Sequence, residues 1–183
     1  MQDLFSIDPK KLRQTIRLLS IELQSRGWKA ETLHARSPII SITRDDAKQI
    51  LVYGSTPPTT SFVAASVADN KYATYELLKS LPVVRQLDTV RLIADASSEQ
   101  VEAFLGAHGR IVVKPIDGAH GRGITTNVHD VKTAEYAIQA ARDAANGSSI
   151  LLQAQYGTSQ SHELRVLCID GHYIGAIYRQ PAR

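Results

Sequence analysis

Residues 112–125 read VVKPIDGAHGRGIT. A β-branched run ends on Lys114, a proline follows, and the next stretch sets Gly118, Gly121 and Gly123 among Asp117, His120 and Arg122. Two readings compete for it: a mobile connection between two strands, and a clamp for a polyphosphate. Glycines let backbone N–H groups converge on an anion, because no side chain blocks close approach and positive φ is available. A lysine ending the preceding strand adds positive charge to the same phosphates, and Arg122 offers a planar fork of donors. The spacing is not a Walker loop, which needs Gly-Lys-Ser/Thr opening a helix, and it is not G-x-G-x-x-G. Taken alone, a glycine-rich hairpin is more often structural.

Working outward, Ile111–Lys114 reads as a strand and Ile124–Val128 as its hairpin partner. Residues 130–145 form the next predicted helix, with an Asn146-Gly147 ending, and SILLQAQ (149–155) is a buried strand. LRVLCID (164–170) and HYIGAIYR (172–179) flank Asp170-Gly171, a strong two-residue hairpin signal. Upstream, Ser97 followed by Gln100 has the pattern of a capping box before VEAFLG. FVAASVA and KYATYELLKSL predict two short helices around Asp69-Asn70 as a cap, the second stopped by Pro82. STPPTT (55–60) is a loop, since consecutive prolines exclude helix and central strand. Further back, Asp8-Pro9 is the expected start of a first helix, carried by Leu12, Ile16, Leu19 and Leu23 and closed by Gly27. Residues 28–33, 39–43 and 50–53 read as strands, the last two joined by the polar RDDAKQ.

The chain has 183 residues, 43% of them hydrophobic, enough for a buried core in one or two compact units. The net charge of +3 is spread without a basic run, so nucleic acid is not the expected partner, while small anions remain open. A single cysteine excludes an internal disulfide and a cysteine-cluster metal site; lying in VLCI, Cys168 reads as a buried thiol. His34, His108, His129, His162 and His172 show no metal-ligand spacing. No apolar stretch approaches bilayer length and the N-terminus lacks a signal-peptide core, so the expectation is a cytoplasmic protein without a membrane partner.

Four ordered segments carry a resemblance. VVKPIDGAHGRGIT resembles the lysine strand and glycine-rich loop of ATP-grasp enzymes, most closely those of the cyanophycin synthetase type. VADNKYATYELL is similar to the segment bearing that family's first nucleotide lysine, here Lys71. ILLQAQYGTSQSHELRVL resembles the hinge strand that holds adenine, followed by an acidic ribose contact and a buried arginine. GHYIGAIYRQPA resembles the next strand, whose arginine reaches phosphate or substrate. The likeness covers roughly residues 60 to 183 and extends to glutathione synthetases and ribosomal-protein glutamate ligases. It implies an α/β (mixed α+β) ATP-grasp fold: a small N-terminal unit over residues 1–66, then a partial ATP-grasp domain over 67–183. Within the latter, the lid subdomain would span about 83–150 and the C-terminal subdomain would start at 151.

Carried over by position, the resemblance assigns Lys71 and Lys114 to the ATP phosphates and Gly118, His120, Gly121, Arg122 and Gly123 to the lid. Gln153 to Tyr156, including Gln155, would line the adenine pocket, largely through backbone groups. Glu163 would accept from the ribose hydroxyls, and Arg179 would face the transferred phosphate or the substrate carboxylate. Relatives often carry glutamate near the hinge where this chain has Gln153 and Gln155; a neutral amide can still pair with the adenine amino edge. Each residue also has a plainer reading. Lys71 could be a solvated helix residue, Glu163 and Arg165 could pair on one strand face, His120 could be idle in solvent, and Arg179 could be a strand-end cation.

The chemistry implied is ATP-dependent ligation of a carboxylate to an amine or thiol through an acylphosphate, a transfer governed by charge neutralisation and alignment. Mg²⁺ would bridge carboxylates and phosphates, and the family's metal ligands are expected downstream of Arg179, beyond this sequence. Two explanations stay open: a fragment of a longer ligase, unable to finish the reaction alone, or a non-catalytic nucleotide-binding or interaction module. Either would leave a sheet edge free for self-association. A phosphosugar-binding or kinase-like protein ranks lower, since no His-Arg-Asp catalytic loop is present.

Overall fold

The structure, a computed structural model, describes residues 1–44, 49–54, 56–93, 98–118, 120–145, 149–157 and 162–180. The chain divides into two compact units, Met1–Ala68 and Asp69–Arg183. The expected capping role of Ser97, the Asn146-Gly147 helix ending, Ser55 of the STPPTT loop, and most of the RDDAKQ connection lie outside the described residues.

The first unit contains helix α1 (Gln14–Ser25) and an antiparallel sheet in the order β1 (Gln2–Asp3), β2 (Lys29–Thr32), β3 (Ile39–Thr43), β4 (Ile50–Tyr53). Asp8-Pro9 does not open α1. The Asp8 carboxylate accepts from the Lys10 amide and closes a separate 3-10 turn over Pro9–Lys11; Leu12 is then extended, and the helix starts afresh at Gln14 without a side-chain cap. At its other end the expected glycine stop is present. Gly27 takes φ +71°, its amide donates to Gln24, and the Trp28 amide donates to Leu23, the paired bonds of a Schellman ending. Trp28 then packs against the cluster of Leu4, Ile16, Leu23, Ile40 and Ile42. Fully burying one such aliphatic side chain contributes about 1.5–3 kcal/mol.

In the second unit, Asn70 caps α3 (Lys71–Leu78) by accepting from the amides of Tyr72 and Ala73. Before it in sequence runs α2 (Phe62–Asp69), none of whose residues is buried. An antiparallel sheet follows in the order β5 (Thr89–Leu92), β8 (Ile150–Ala154), β6 (Ile111–Pro115), β7 (Thr125–Val128). Helices α4 (Ser98–His108) and α5 (Val131–Ala144) cover one face. That core joins Phe104 and Leu105 of α4 and the small residues Ala134, Ala137 and Ala141 of α5 to Ile111, Val113, Ile150 and Leu152 of the sheet. Strand β6 alternates buried and half-buried residues, so Ile111 and Val113 face the helices while Val112 and Lys114 face away. This alternation places the lysine on the sheet's other face.

Beyond it, β9 (Glu163–Ile169) and β10 (His172–Arg179) form a hairpin closed by Asp170 and Gly171, both at positive φ as a two-residue turn requires. Among the described strands these two pair only with each other. Cys168 is therefore exposed rather than buried, because nothing described packs over the hairpin face that carries it. Helices and antiparallel sheets together give the mixed α+β class that the sequence implied. No helix among the described residues is long and apolar enough to cross a membrane.

Candidate functional site

Three separated segments meet at the loop that follows β6. The first is the N-terminus of α3. The Lys71 amide donates to the Ile116 carbonyl at 3.1 Å, and its ammonium donates to the carbonyls of Asp117 at 2.9 Å and Gly118 at 3.0 Å. The second is the start of β8, where Ser149 accepts from the Ile116 amide at 3.1 Å. The third is the end of β6 itself, which delivers Lys114.

Lys114 donates from Nζ to Oε1 of Gln153 at 2.7 Å. In the β6–β8 register Lys114 lies opposite Leu151, so Gln153 is its diagonal neighbour on the same face, within reach of a long side chain. Gln153 in turn donates from Nε2 to Thr89 Oγ1 at 2.8 Å, and the Thr89 hydroxyl donates to the Leu87 carbonyl at 2.9 Å. Burial first, and the charge of Lys71 second, push the Lys114 ammonium below its ordinary range. Lys71 thus holds the loop and its charge is felt at Lys114, while the acceptor of the half-buried Lys114 is a neutral amide. An incoming anion would relieve both the repulsion and the desolvation.

The loop backbone is left-handed at Gly118 (φ +86°), His120 (φ +61°), Gly121 (φ +75°) and Gly123 (φ +67°). Its glycines serve two purposes. Around Gly118 and Gly121 a Cβ would meet nothing within 4 Å, whereas at Gly123 it would come within 2.5 Å of the Ala144 Cβ and 3.3 Å of the Ala141 Cα. Gly123 therefore anchors the loop's far end against α5, while the open stretch before it carries the exposed His120 and Arg122.

After β8, Gln155 accepts at Oε1 from the Asn127 amide at 2.5 Å, tying the hinge to β7, and its own amide donates to Arg110. Tyr156 is exposed. Glu163 and Arg179 lie opposite each other at the open end of the β9–β10 hairpin, 3.9 Å apart. Arg165 is closer to the carboxylate, at 2.6 Å, and its hydrogen bond is the main reason the Glu163 carboxyl sits below its usual range. The structure thus gathers Lys71, Lys114, Gln153 and the loop into one group, and Glu163, Arg165 and Arg179 into another. Residues the sequence did not single out are Thr89, Asn127 and Leu87. Thr89 meets Gln153 across 64 positions, and nothing local marks it. A cavity of about 210 Å³ lined by Leu92, Val101, Val131 and Ile138 touches none of these groups.

Residues 82–183 match the family model of the prokaryotic glutathione synthetase ATP-grasp domain. Cyanophycin synthetase of Trichormus variabilis is 35% identical over 123 residues, 67% of this chain and 13% of that protein. The chain thus spans only 13% of the length of that curated relative. A bifunctional glutathione synthetase from Pasteurella multocida matches with a TM-score of 0.56 at 17% identity, over 93% of this chain and 22% of that one. D-cycloserine synthetase matches with a TM-score of 0.53 at 26% identity, over 66% of this chain and 41% of that one.

Proposed function

The chain belongs to the ATP-grasp family, in its glutathione synthetase-like branch, and from that premise we propose that it carries the nucleotide-holding part of an ATP-dependent ligase. The observation that carries this reading is that Lys71 and Lys114, from a helix and a strand far apart in sequence, come close enough to feel each other's charge, with Lys71 holding the loop of left-handed glycines that follows Lys114. In this assignment residues 67–183 are ATP-grasp, with the lid over about 83–150 and the C-terminal subdomain from 151, after an N-terminal unit over 1–66.

Lys71 and Lys114 hold the phosphates. Backbone amides around Gly118 and Gly121 close over them with His120 and Arg122, and Gly123 fixes the lid to α5. Gln153, Gln155 and Tyr156 border the adenine, Glu163 takes the ribose, and Arg179 faces the acceptor carboxylate or the transferred phosphoryl. A carboxylate oxygen of the substrate attacks the γ-phosphorus while the bond to the β-phosphate oxygen breaks, releasing ADP. An amine or thiol then attacks the acyl carbon, loses its proton, and expels phosphate. The protein's share is alignment and neutralisation of charge spread over the phosphoryl oxygens.

Among the described residues no cluster of three His, Cys, Asp or Glu could hold a metal ion. Mg²⁺ would arrive on the phosphates of ATP rather than in a preformed cage of protein ligands. The substrate class is a small carboxylate or peptide, in a cytoplasmic setting, without nucleic-acid or membrane partners. The apolar, exposed β9–β10 hairpin favours self-association. Titration calorimetry with ATP, with and without Mg²⁺, tests the reading. Saturable heat that Lys114→Ala removes is the expected result, and no heat at millimolar ATP overturns it.

A further inference from the structure

We propose that Thr89 is a positioning residue, which from β5 fixes the Gln153 amide so that its oxygen, not its amino group, faces Lys114. This rests on the reading of Lys114 as a phosphate ligand and adds to it a residue outside the loop and the hinge.

The argument is one of hydrogen-bond direction. An ammonium can only donate and a carbonyl can only accept. Lys114 at one end and the Leu87 carbonyl at the other therefore permit a single polarity for the bonds between them: lysine to amide oxygen, amide nitrogen to hydroxyl, hydroxyl to carbonyl. The terminal torsion of a glutamine is broad and nearly two-fold, so the backbone of β8 does not select this orientation. Thr89 does. It lies directly across from Gln153 in the β5–β8 register, is only 8% exposed, and spends its own proton on Leu87, leaving its lone pairs for the amide. Valine at this position would keep the shape and lose the acceptor. The amide could then rotate and set its amino group against the ammonium.

The orientation matters because the partner is neutral. A carboxylate in place of Gln153 would neutralise Lys114. A correctly turned amide holds the ammonium in place, and its charge stays available to an anion. Lys71 is the other charge felt at Lys114, so orientation rather than ion pairing is what steadies the lysine.

The test uses the whole chain as wild type, Thr89→Val and Thr89→Ser, with two readouts. NMR of isotope-labelled lysine follows the Lys114 titration without nucleotide, and calorimetry follows ATP. Thr89→Val should lower the Lys114 pKa relative to wild type and weaken ATP by about three- to tenfold, the worth of one ordinary hydrogen bond. Thr89→Ser, which keeps the hydroxyl, should restore both. An unchanged Lys114 pKa in folded Thr89→Val overturns the positioning role, whatever ATP does. If wild type binds no ATP yet its Lys114 responds to Thr89, the positioning stands and the nucleotide reading falls. If Thr89→Val does not fold, Thr89→Cys, with its weak donor and acceptor, carries the same comparison, and a wild-type Lys114 titration there overturns the proposal.

Discussion

The Lys114 ammonium donates to the side-chain oxygen of Gln153 across 2.7 Å, and its acceptor is an amide rather than a carboxylate. A half-buried lysine is ordinarily balanced by an acid. Here burial and Lys71 both work against the charge, and the one acceptor described holds it without cancelling it. That imbalance costs stability in the free protein and is recovered when an anion arrives, which is how a binding site and a structural ion pair differ in energy.

Lys114→Met should therefore stabilise the free protein while disabling it. The folded-state pKa of Lys114 lies below its unfolded value, so between the two the unfolded chain holds more protons and wild-type stability rises with pH. Below that window the cost of the charge is present in full. The variant should melt above wild type at pH 7, and the difference should shrink as pH climbs toward 10.5, the ordinary lysine value. ATP affinity should drop about tenfold or more, as for loss of a charged hydrogen bond. Thermal melts across this range decide it; a melting difference that does not vary with pH refutes the charge argument.

Lys71→Ala should loosen the loop even without nucleotide. Its ammonium holds the carbonyls of Asp117 and Gly118, so the loop is stapled to α3 by a side chain that the bound state would need for phosphate. Amide hydrogen exchange across residues 118–124 should accelerate about three- to tenfold, while α5 stays protected. Equal acceleration in both segments would instead mean general destabilisation.

Much of this was legible in the sequence where local chemistry dictates structure. Strands 39–43 and 50–53 emerge at the expected residues because their apolar runs are bounded by turn-formers. Asn70 caps α3 and Asp170-Gly171 turns the last hairpin because each needs only its immediate neighbours. What depends on distant packing was not legible. Cys168 has the apolar neighbours of a core thiol, yet burial requires a second layer over β9–β10, and no local pattern reports that. Asp8-Pro9 carries a true cap signal, but the turn it starts is spent before the helix. Thr89 and Asn127 became visible only through strand register.

The exposure of Cys168 can be measured directly. The chain has one cysteine, so a thiol reagent should label one equivalent rapidly in native buffer, without denaturant. Protection that grows with protein concentration would report self-association through the β9–β10 hairpin. Slow labelling at every concentration would contradict the exposed hairpin.

Glu163→Gln separates a ribose contact from a structural ion pair. The carboxylate is exposed and held by Arg165 and Arg179, so neutralising it should leave the melting temperature nearly unchanged. If Glu163 accepts from the ribose, wild type should prefer ATP over 2′,3′-dideoxy-ATP. The variant should lose that preference by about three- to tenfold. A preference that survives the substitution removes Glu163 from the nucleotide site.

The two kinds of loop glycine make the sharpest contrast. At Gly121 an added Cβ meets open space, so Gly121→Ala carries only the left-handed penalty of about 1–2 kcal/mol. At Gly123 the same methyl must displace Ala144 at 2.5 Å and crowd the α5 backbone at Ala141, in addition to that penalty. Overpacking of this kind adds about 1–3 kcal/mol, since a helix backbone cannot yield as a flexible side chain does. Urea denaturation should therefore rank wild type above Gly121→Ala and Gly121→Ala well above Gly123→Ala, with similar m-values. Ala144→Gly should rescue part of the Gly123→Ala loss, because it removes the methyl group met at 2.5 Å. Equal midpoints for the two alanine variants would show that the end of the loop is not seated on α5.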